Sequence, residues 1–469
     1  MYLVNKIFSF QLKNYDSRTF YNFIFISFLS LLFIVFNIDF LLGRDFFWDD
    51  LHFFRYYSTD QLIAVFYSHW DPDLIETPAY RPLATLLYHL EYFFFQENVF
   101  FYRLFSLFLM IILQTVFSQI MMNLNCSFFT QLLTHFIFFV SFTYSLMIIW
   151  STMSHILLAG IFSLLTLRNI IIYFKKKNIK SLIYAFLYLL IGLLIREEVY
   201  AMALIIFVLG FVDLFKAKFS FKGDFIKFVF GVFLVTLAHY FFRKIIIPES
   251  SGFSEISIIT FFDYLVFLFS SSMPGGLSTK DNIGVFLLIV FILFYVTIGA
   301  NNLKYFIRNN RLIFLLGCSM ILSLPSLITS RVFSTFLPKL FIYVLVIEIL
   351  IYQFRNYSFK KKFILGSLIM IFFTFSGIRR SLQLKESFSA SSVYMSNYDL
   401  RFIIDERATI PSNRRERILE KYSNIKIPYQ LLKEMEDERR SSFFLEKLLK
   451  LSKEKDSKHI IPLYHPLFP

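Results

Sequence analysis

Apolar runs about as long as a bilayer is thick recur along this chain, and they decide most of what it can become. A helix needs roughly 20 residues to cross the hydrocarbon core. Runs of that order stand over residues 20–42, 99–122 and 153–174, among others. Of the 469 residues, 57% are hydrophobic and 66 are Phe, against about 45–50% apolar in ordinary soluble domains. The mean hydropathy is +0.61. An outer-membrane barrel is excluded, because its strands alternate polar and apolar over segments of about ten residues. The fold class expected is an all-α integral membrane protein.

The formal net charge of +14 does not point to nucleic acid. The basic residues fall in short clusters between apolar runs, as at Lys175–Lys177 and Lys360–Lys362. Cytoplasmic loops orient membrane proteins in this way, and anionic lipid headgroups are the natural partners of such clusters. Cys126 falls at a predicted cytoplasmic turn and Cys318 inside a predicted span. They are expected at different depths, with no disulfide and no Cys metal site. The first apolar run is too long for a signal h-region and no small-residue cleavage site follows it, so no cleaved leader is expected.

Threading the runs so that basic loops lie inside gives about eleven spans and a cytoplasmic N-terminus. The spans are expected near 20–42, 99–122, 128–150, 153–174, 181–195, 199–215, 228–247, 283–303, 312–329, 333–354 and 363–377. Residues 44–98 form a long first extracytoplasmic loop, rich in Asp. Residues 256–272 are read as interfacial or re-entrant, because counting them as a span would put Lys304, Arg308 and Arg311 outside. The remaining exception is Arg379–Arg380, which lands outside. The chain thus divides into a membrane domain, 1–377, and a polar tail, 378–469, that reads as a small helical, partly flexible appendage. No internal repeat and no phosphate-cradling Gly loop is present. Continuous helices of this kind suit a bacterial cytoplasmic (inner) membrane.

Several ionisable residues collect on the outer side of this topology. Ionisable groups at membrane depth are costly and are functional suspects. Asp49 and Asp50 follow the first span among Phe46, Phe47, Trp48, Phe53 and Phe54. Adjacent carboxylates repel, so the pair wants a cation, a shared proton or an Arg. Arg81 precedes the second span, and Pro82 after it marks a helix start. Arg196, Glu197 and Glu198 cap the fifth span, and Arg331 caps the ninth. Each has a plainer reading: a solvated acid, a snorkelling Arg, or an ion pair that fixes two helices. His52 and His69 lie near acids, and "HWDPD" at 69–73 offers acceptors for a sugar or a divalent ion. Without ligand spacing such as HExxH, a structural or solvated His is the better reading. His89, His135, His155 and His239 read as core histidines. Trp70 and Tyr80 are able to stack on a sugar ring, though interfacial anchoring is their default.

The order of these pieces resembles the GT-C superfamily of polytopic glycosyltransferases, closest to its protein O-mannosyltransferase-like and TMTC-like branch. The resemblance rests on Asp49–Asp50 after the first span, Tyr80–Arg81–Pro82–Leu83, the aromatic run into the second span, Arg196–Glu197, and "SRVFSTFLPKL" with Arg331. The chain departs from the pattern at Gln96–Val99, at Ser330 where an acid is common, and at Arg196 where Lys is usual. The tail carries no tetratricopeptide pattern.

The resemblance implies transfer of a sugar from a polyprenyl-phosphate-linked donor to an acceptor (lipid, glycan or protein) on the extracytoplasmic face, with inversion. It implies Asp49 as base, Asp50 orienting the acceptor or helping to hold a divalent cation, and Arg331, Arg196 and Arg81 facing the lipid phosphate. Glu197, His52 and Tyr80 take supporting places. Membrane lipids are partners and nucleic acid is not. The competing readings are a transporter or flippase of lipid-linked saccharide, a surface-polysaccharide polymerase or ligase, and a non-catalytic GT-C relative.

Overall fold

The computed structural model describes residues 15–42, 46, 50–74, 79–176, 178–216, 224–247, 310–329 and 336–353. Among these residues the chain is helical and has no strand. The helices are α1 (Tyr15–Phe36), α2 (Ile38–Leu41), α3 (Asp50–Phe53), α4 (Thr59–Ala64), α5 (Pro82–Phe95), α6 (Val99–Asn123), α7 (Phe128–Phe139), α8 (Phe142–Ile149), α9 (Ser154–Lys176), α10 (Ile179–Ile195), α11 (Tyr200–Lys216), α12 (Asp224–Ile246), α13 (Asn310–Thr329) and α14 (Phe336–Gln353). Three stretches are long and apolar enough to cross a membrane: Ser17–Phe36, Val99–Asn123 and Ser151–Lys176. The pair Phe128–Phe139 and Thr143–Ile149 adds a fourth if taken as one bent span.

The helices begin where the sequence offers a cap. Ser127, Ser141 and Asn178 each accept a backbone N–H of the following turn, which satisfies a donor the helix cannot use itself. Ser58 and Gln61 form a reciprocal capping box at α4. Pro82 takes the first position of α5, where its missing N–H costs nothing.

Two apolar segments differ from expectation. The first is helical from Tyr15 and breaks at Asn37, whose side chain bonds the Phe33 carbonyl (3.0 Å), a local bond that competes with the helix. The segment 128–150, expected as one continuous span, bends by 59° between α7 and α8. Ser141 makes the break: its hydroxyl donates to the Phe138 carbonyl (2.6 Å) and accepts the Tyr144 N–H, so one helix closes and another opens. The expected spans 283–303 and 363–377, the segment 256–272, the tail, Asp49 and Arg331 lie outside the described residues.

The core runs along α9, which packs on α6 and on α10, while α14 packs on α7 and α13. Leu113, Phe117, Leu164, Leu167 and Phe341 are fully buried there. Gly160 on α9 lets Phe336 and Leu113 come close: a Cβ at this position would lie 2.6 Å from the Phe336 ring and 3.0 Å from Leu113. One end of the bundle is closed around the turn after α6. Lys175 donates to the Asn123 carbonyl, Arg311 to that of Asn125 (2.8 Å), and Arg311 and Thr130 both hold Glu348. The opposite end gathers the α8–α9 and α10–α11 connections, and there the loop 50–81 docks.

Candidate functional site

Asp50 opens α3 and is buried at 1% exposure. Its carboxylate accepts the backbone N–H of Thr152 (2.7 Å) and that of Ser151 (3.3 Å). Those donors start the 3-10 turn Ser151–Met153 that leads into α9. A helix start has unpaired N–H groups and a positive dipole end, so an acid from a segment 101 residues away caps it. Each of its oxygens accepts one backbone N–H, which anchors the loop at this helix start.

From that turn a chain of polar contacts runs outward. Tyr88 on α5 donates its hydroxyl to the Thr152 carbonyl (3.2 Å) and lies 2.6 Å from Nδ1 of His155. Arg196 Nη1 bonds Nε2 of His155 (2.7 Å). Arginine offers only donors, so Nε2 accepts and the imidazole proton belongs on Nδ1, facing the Thr152 carbonyl at 2.6 Å. Arg196 also pairs with Glu198 (2.6 Å). His155 is therefore a fully bonded core histidine, as its apolar surroundings suggested, and it is also what fixes the Arg196 guanidinium.

Arg81 donates through Nε to Glu197 (2.7 Å), a partner 116 residues away, and its guanidinium lies 4.8 Å over the Trp70 ring. Trp70 in turn stacks on Phe53 at 4.6 Å. Burial pushes the Glu197 carboxyl up, but the charges of Arg81 and Arg243 outweigh it and hold the group at about 2. Tyr80 is buried. Its hydroxyl donates to the Phe66 carbonyl (3.1 Å) and its ring packs against His239 and Phe242 of α12. It ties the loop to the bundle.

His52 does not stand with Asp50. Its Nε2 lies 2.8 Å from Asp71 and its Nδ1 3.5 Å from Asp73, and Asp73 also pairs with Arg55 at 3.0 Å. The ring is fully buried, so it is not a solvated histidine. Donor atoms of His52, Asp71 and Asp73 all lie within 4.8 Å of one another. One nitrogen and two carboxylates suit zinc or manganese. The acids of "HWDPD" thus meet a histidine that precedes Asp71 by nineteen residues, a convergence the spacing did not disclose. Arg55, Tyr88 and His155 were also missed as site-building residues. A signal was available for α5: Ala84, Tyr88 and Glu91 follow the 3-and-4 spacing of one buried helix face.

An apolar groove of about 510 Å³ opens between α1, the end of α5 and α6, lined by Ile34, Phe95, Leu104, Phe105 and Phe108 among others. Its rim residues Phe95 and Phe105 adjoin Tyr102, through Phe95 at 5.2 Å, and Tyr102 packs on Phe46 and Phe54 beside α3. No protein-family model matches the chain, and neither the curated proteins nor the solved structures compared with it give a match.

Proposed function

We propose that this chain is a membrane glycosyltransferase that moves a sugar from a polyprenyl-phosphate-linked donor to an acceptor on the extracytoplasmic face, with inversion. The observation that carries the reading is the docking of loop 50–81 onto the helix connections at one end of the bundle. Asp50 seizes the start of α9 while Arg81 pairs with Glu197 beside Arg196. Acids and guanidiniums far apart in sequence thereby share one layer at the ends of apolar helices. A water-soluble acceptor and a membrane-borne donor would meet in such a layer.

Within this reading Asp49 takes the acceptor hydroxyl proton, since a poor nucleophile needs a placed base. Asp50, bonded to the backbone at the start of α9, orients the acceptor. The leaving lipid phosphate wants preorganised positive charge, supplied by Arg196, Arg81 and Arg331. The groove beside Tyr102 suits the isoprenoid chain. A divalent cation, if used, has donors ready at His52, Asp71 and Asp73. The wider frame is the topology of about eleven spans in a cytoplasmic membrane, with the N-terminus inside.

The test is sugar release from radiolabelled polyprenyl-phosphate sugars by purified protein, wild type against Asp49→Asn, with and without chelator. Turnover that collapses in Asp49→Asn supports the reading and the base. Turnover unchanged in that variant removes Asp49 as base. No turnover with any donor, while donor still binds, defeats the enzyme reading.

A specific observation favours a second reading, a transporter of lipid-linked saccharide. Such proteins build sites at broken helices with buried charge. Here α8 begins just past the 59° bend, and the fully buried Lys339 of α14 donates to its Thr143 (2.9 Å). Movement of labelled lipid across proteoliposomes, lost in Lys339→Met, would favour this reading over the first.

A further inference from the structure

An apolar stripe runs along the outer side of α5. Leu83, Leu86, Leu87, Leu90, Phe93 and Phe94 recur at the 3-and-4 spacing of one helix face. Leu90, Phe93 and Phe94 are exposed, at 52%, 62% and 69%, and the three leucines before them are half-buried. The stripe carries no charge and no polar side chain. The polar residues Thr85, Tyr88, His89 and Glu91 turn the other way. Thr85 donates to the Trp70 carbonyl and Tyr88 to that of Thr152, His89 accepts the Tyr57 N–H (3.3 Å), and Glu91 is buried.

A helix on a water-facing surface is built the opposite way, with its polar side outward. Single exposed apolar residues are ordinary, but a continuous stripe marks a surface made for a membrane or a partner. The neighbours of α5 say which. It packs on α6 and α10. α6 is long and apolar enough to cross a membrane and exposes Phe101, Leu104 and Phe108. α10 exposes Leu187 and Leu190. At the end of α5, Phe95 lies 6.0 Å from Phe101 and 5.9 Å from Phe105, and it lines the apolar groove together with Leu31 of α1. The outer side of α5 therefore continues the apolar sides of helices built to cross a membrane. With 14 residues, α5 is about 21 Å long at 1.5 Å per residue, short of the roughly 30 Å of a hydrocarbon core. It has the surface of a membrane helix without the length of one.

We propose that α5 is seated in the membrane, with the stripe from Leu83 to Phe94 against lipid acyl chains, and does not stand in water with the rest of the loop. The stripe offers no cation to a headgroup, so acyl chains are what it fits. The inner side of the same helix carries Tyr88, which reaches Thr152 at the start of α9. The helix thus sets the depth of the docked loop and places the layer of Asp50, Arg81 and Arg196 at the hydrocarbon boundary. The inference does not depend on sugar transfer.

The experiment attaches a nitroxide to Leu90→Cys and to Phe94→Cys of the full-length protein in phosphatidylcholine vesicles. Collisions are compared for oxygen, which concentrates in lipid, and for a water-soluble nickel chelate. Phe108→Cys on α6 is the lipid reference, and Thr59→Cys on the exposed start of α4 is the water reference. Cys126 and Cys318 are buried, and wild type treated alike gives the background. The oxygen-to-nickel collision ratio at Leu90 and Phe94 should match that at Phe108 and exceed that at Thr59. If one of the two variants does not fold, the other decides. A ratio equal to that at Thr59 overturns the proposal, because the stripe then faces water. Protection from both reagents overturns it too, because another segment or a second copy of the chain then covers the stripe. A water-like ratio at Phe108 defeats the span α6 and the proposal with it.

Discussion

The two ends of the helix bundle are both polar, and they are closed in different ways. At the end around the turn after α6, cations reach backbone carbonyls that a helix end leaves open: Lys175 to Asn123 and Arg311 to Asn125. One acid, Glu348, takes Arg311 and Thr130. The closure uses what the helix ends require. At the other end, the loop 50–81 brings its own charges and meets more of them, so that Asp50, Arg81, Arg196, Glu197 and Glu198 are packed into one layer with Trp70 and Tyr88. This exceeds what capping needs. Ion pairs in such places add little net stability over apolar packing, so stability alone does not account for their accumulation at this end, which is where the proposed chemistry is assigned.

The sharpest way to break this contrast is Arg81→Ala. It takes the Nε donor from Glu197, whose side chain is 15% exposed and keeps the charge of Arg243, and the loss should be about 3 kcal/mol, the low end for a buried pair, measured by denaturant or thermal unfolding in detergent. Adding Glu197→Gln to it should restore part of that loss, while the proposed sugar transfer stays abolished in both variants. Asp50→Ala comes next. It leaves two enclosed N–H groups without an acceptor and should cost about 1–3 kcal/mol. A larger loss of the proposed transfer than of stability would mark Asp50 as part of that chemistry.

Arg311→Ala at the opposite end should cost about 1–2 kcal/mol, because Glu348 keeps Thr130 and the Arg311 side chain is 23% exposed. The proposed transfer should persist in the folded fraction. Loss of transfer with stability kept would erase the difference between the ends. Acid should find the charged end first. Glu197 is held at about 2 against a usual 4.5. A depressed carboxyl contributes stability that is complete above about pH 4.5 and is lost as the pH falls towards 2. Arg81→Ala should flatten that acid-side decline, read as the unfolding midpoint against pH. The smallest effect expected is for Ser30→Ala, which removes a 3.2 Å bond between α1 and Tyr144 worth about 0.5–1.5 kcal/mol.

The helices were legible in the sequence because hydrocarbon leaves a chain few options: every backbone polar group must be paired within its own segment. Helices lie over the expected segments near 99–122, 153–174, 181–195, 199–215, 228–247, 312–329 and 333–354. Their starts were legible where a local residue makes them, as at Arg81–Pro82. The break in 128–150 was not, because its apolar pattern continues through Ser141 and only the hydroxyl's choice of partners divides it.

The suspects Asp50, Arg81, Arg196 and Glu197 stood out because charge beside apolar runs is costly wherever the chain folds. What each of them touches was decided by tertiary structure alone. Arg81 finds Glu197 across 116 positions, Asp50 finds Thr152 across 102, and His52 joins Asp71 and Asp73 rather than Asp50. Sequence records which groups must find a partner. The packing of α5 and α9 against the docked loop settles which partner is within reach, because a charge-assisted bond holds only over about 3 Å and no spacing rule spans a hundred residues.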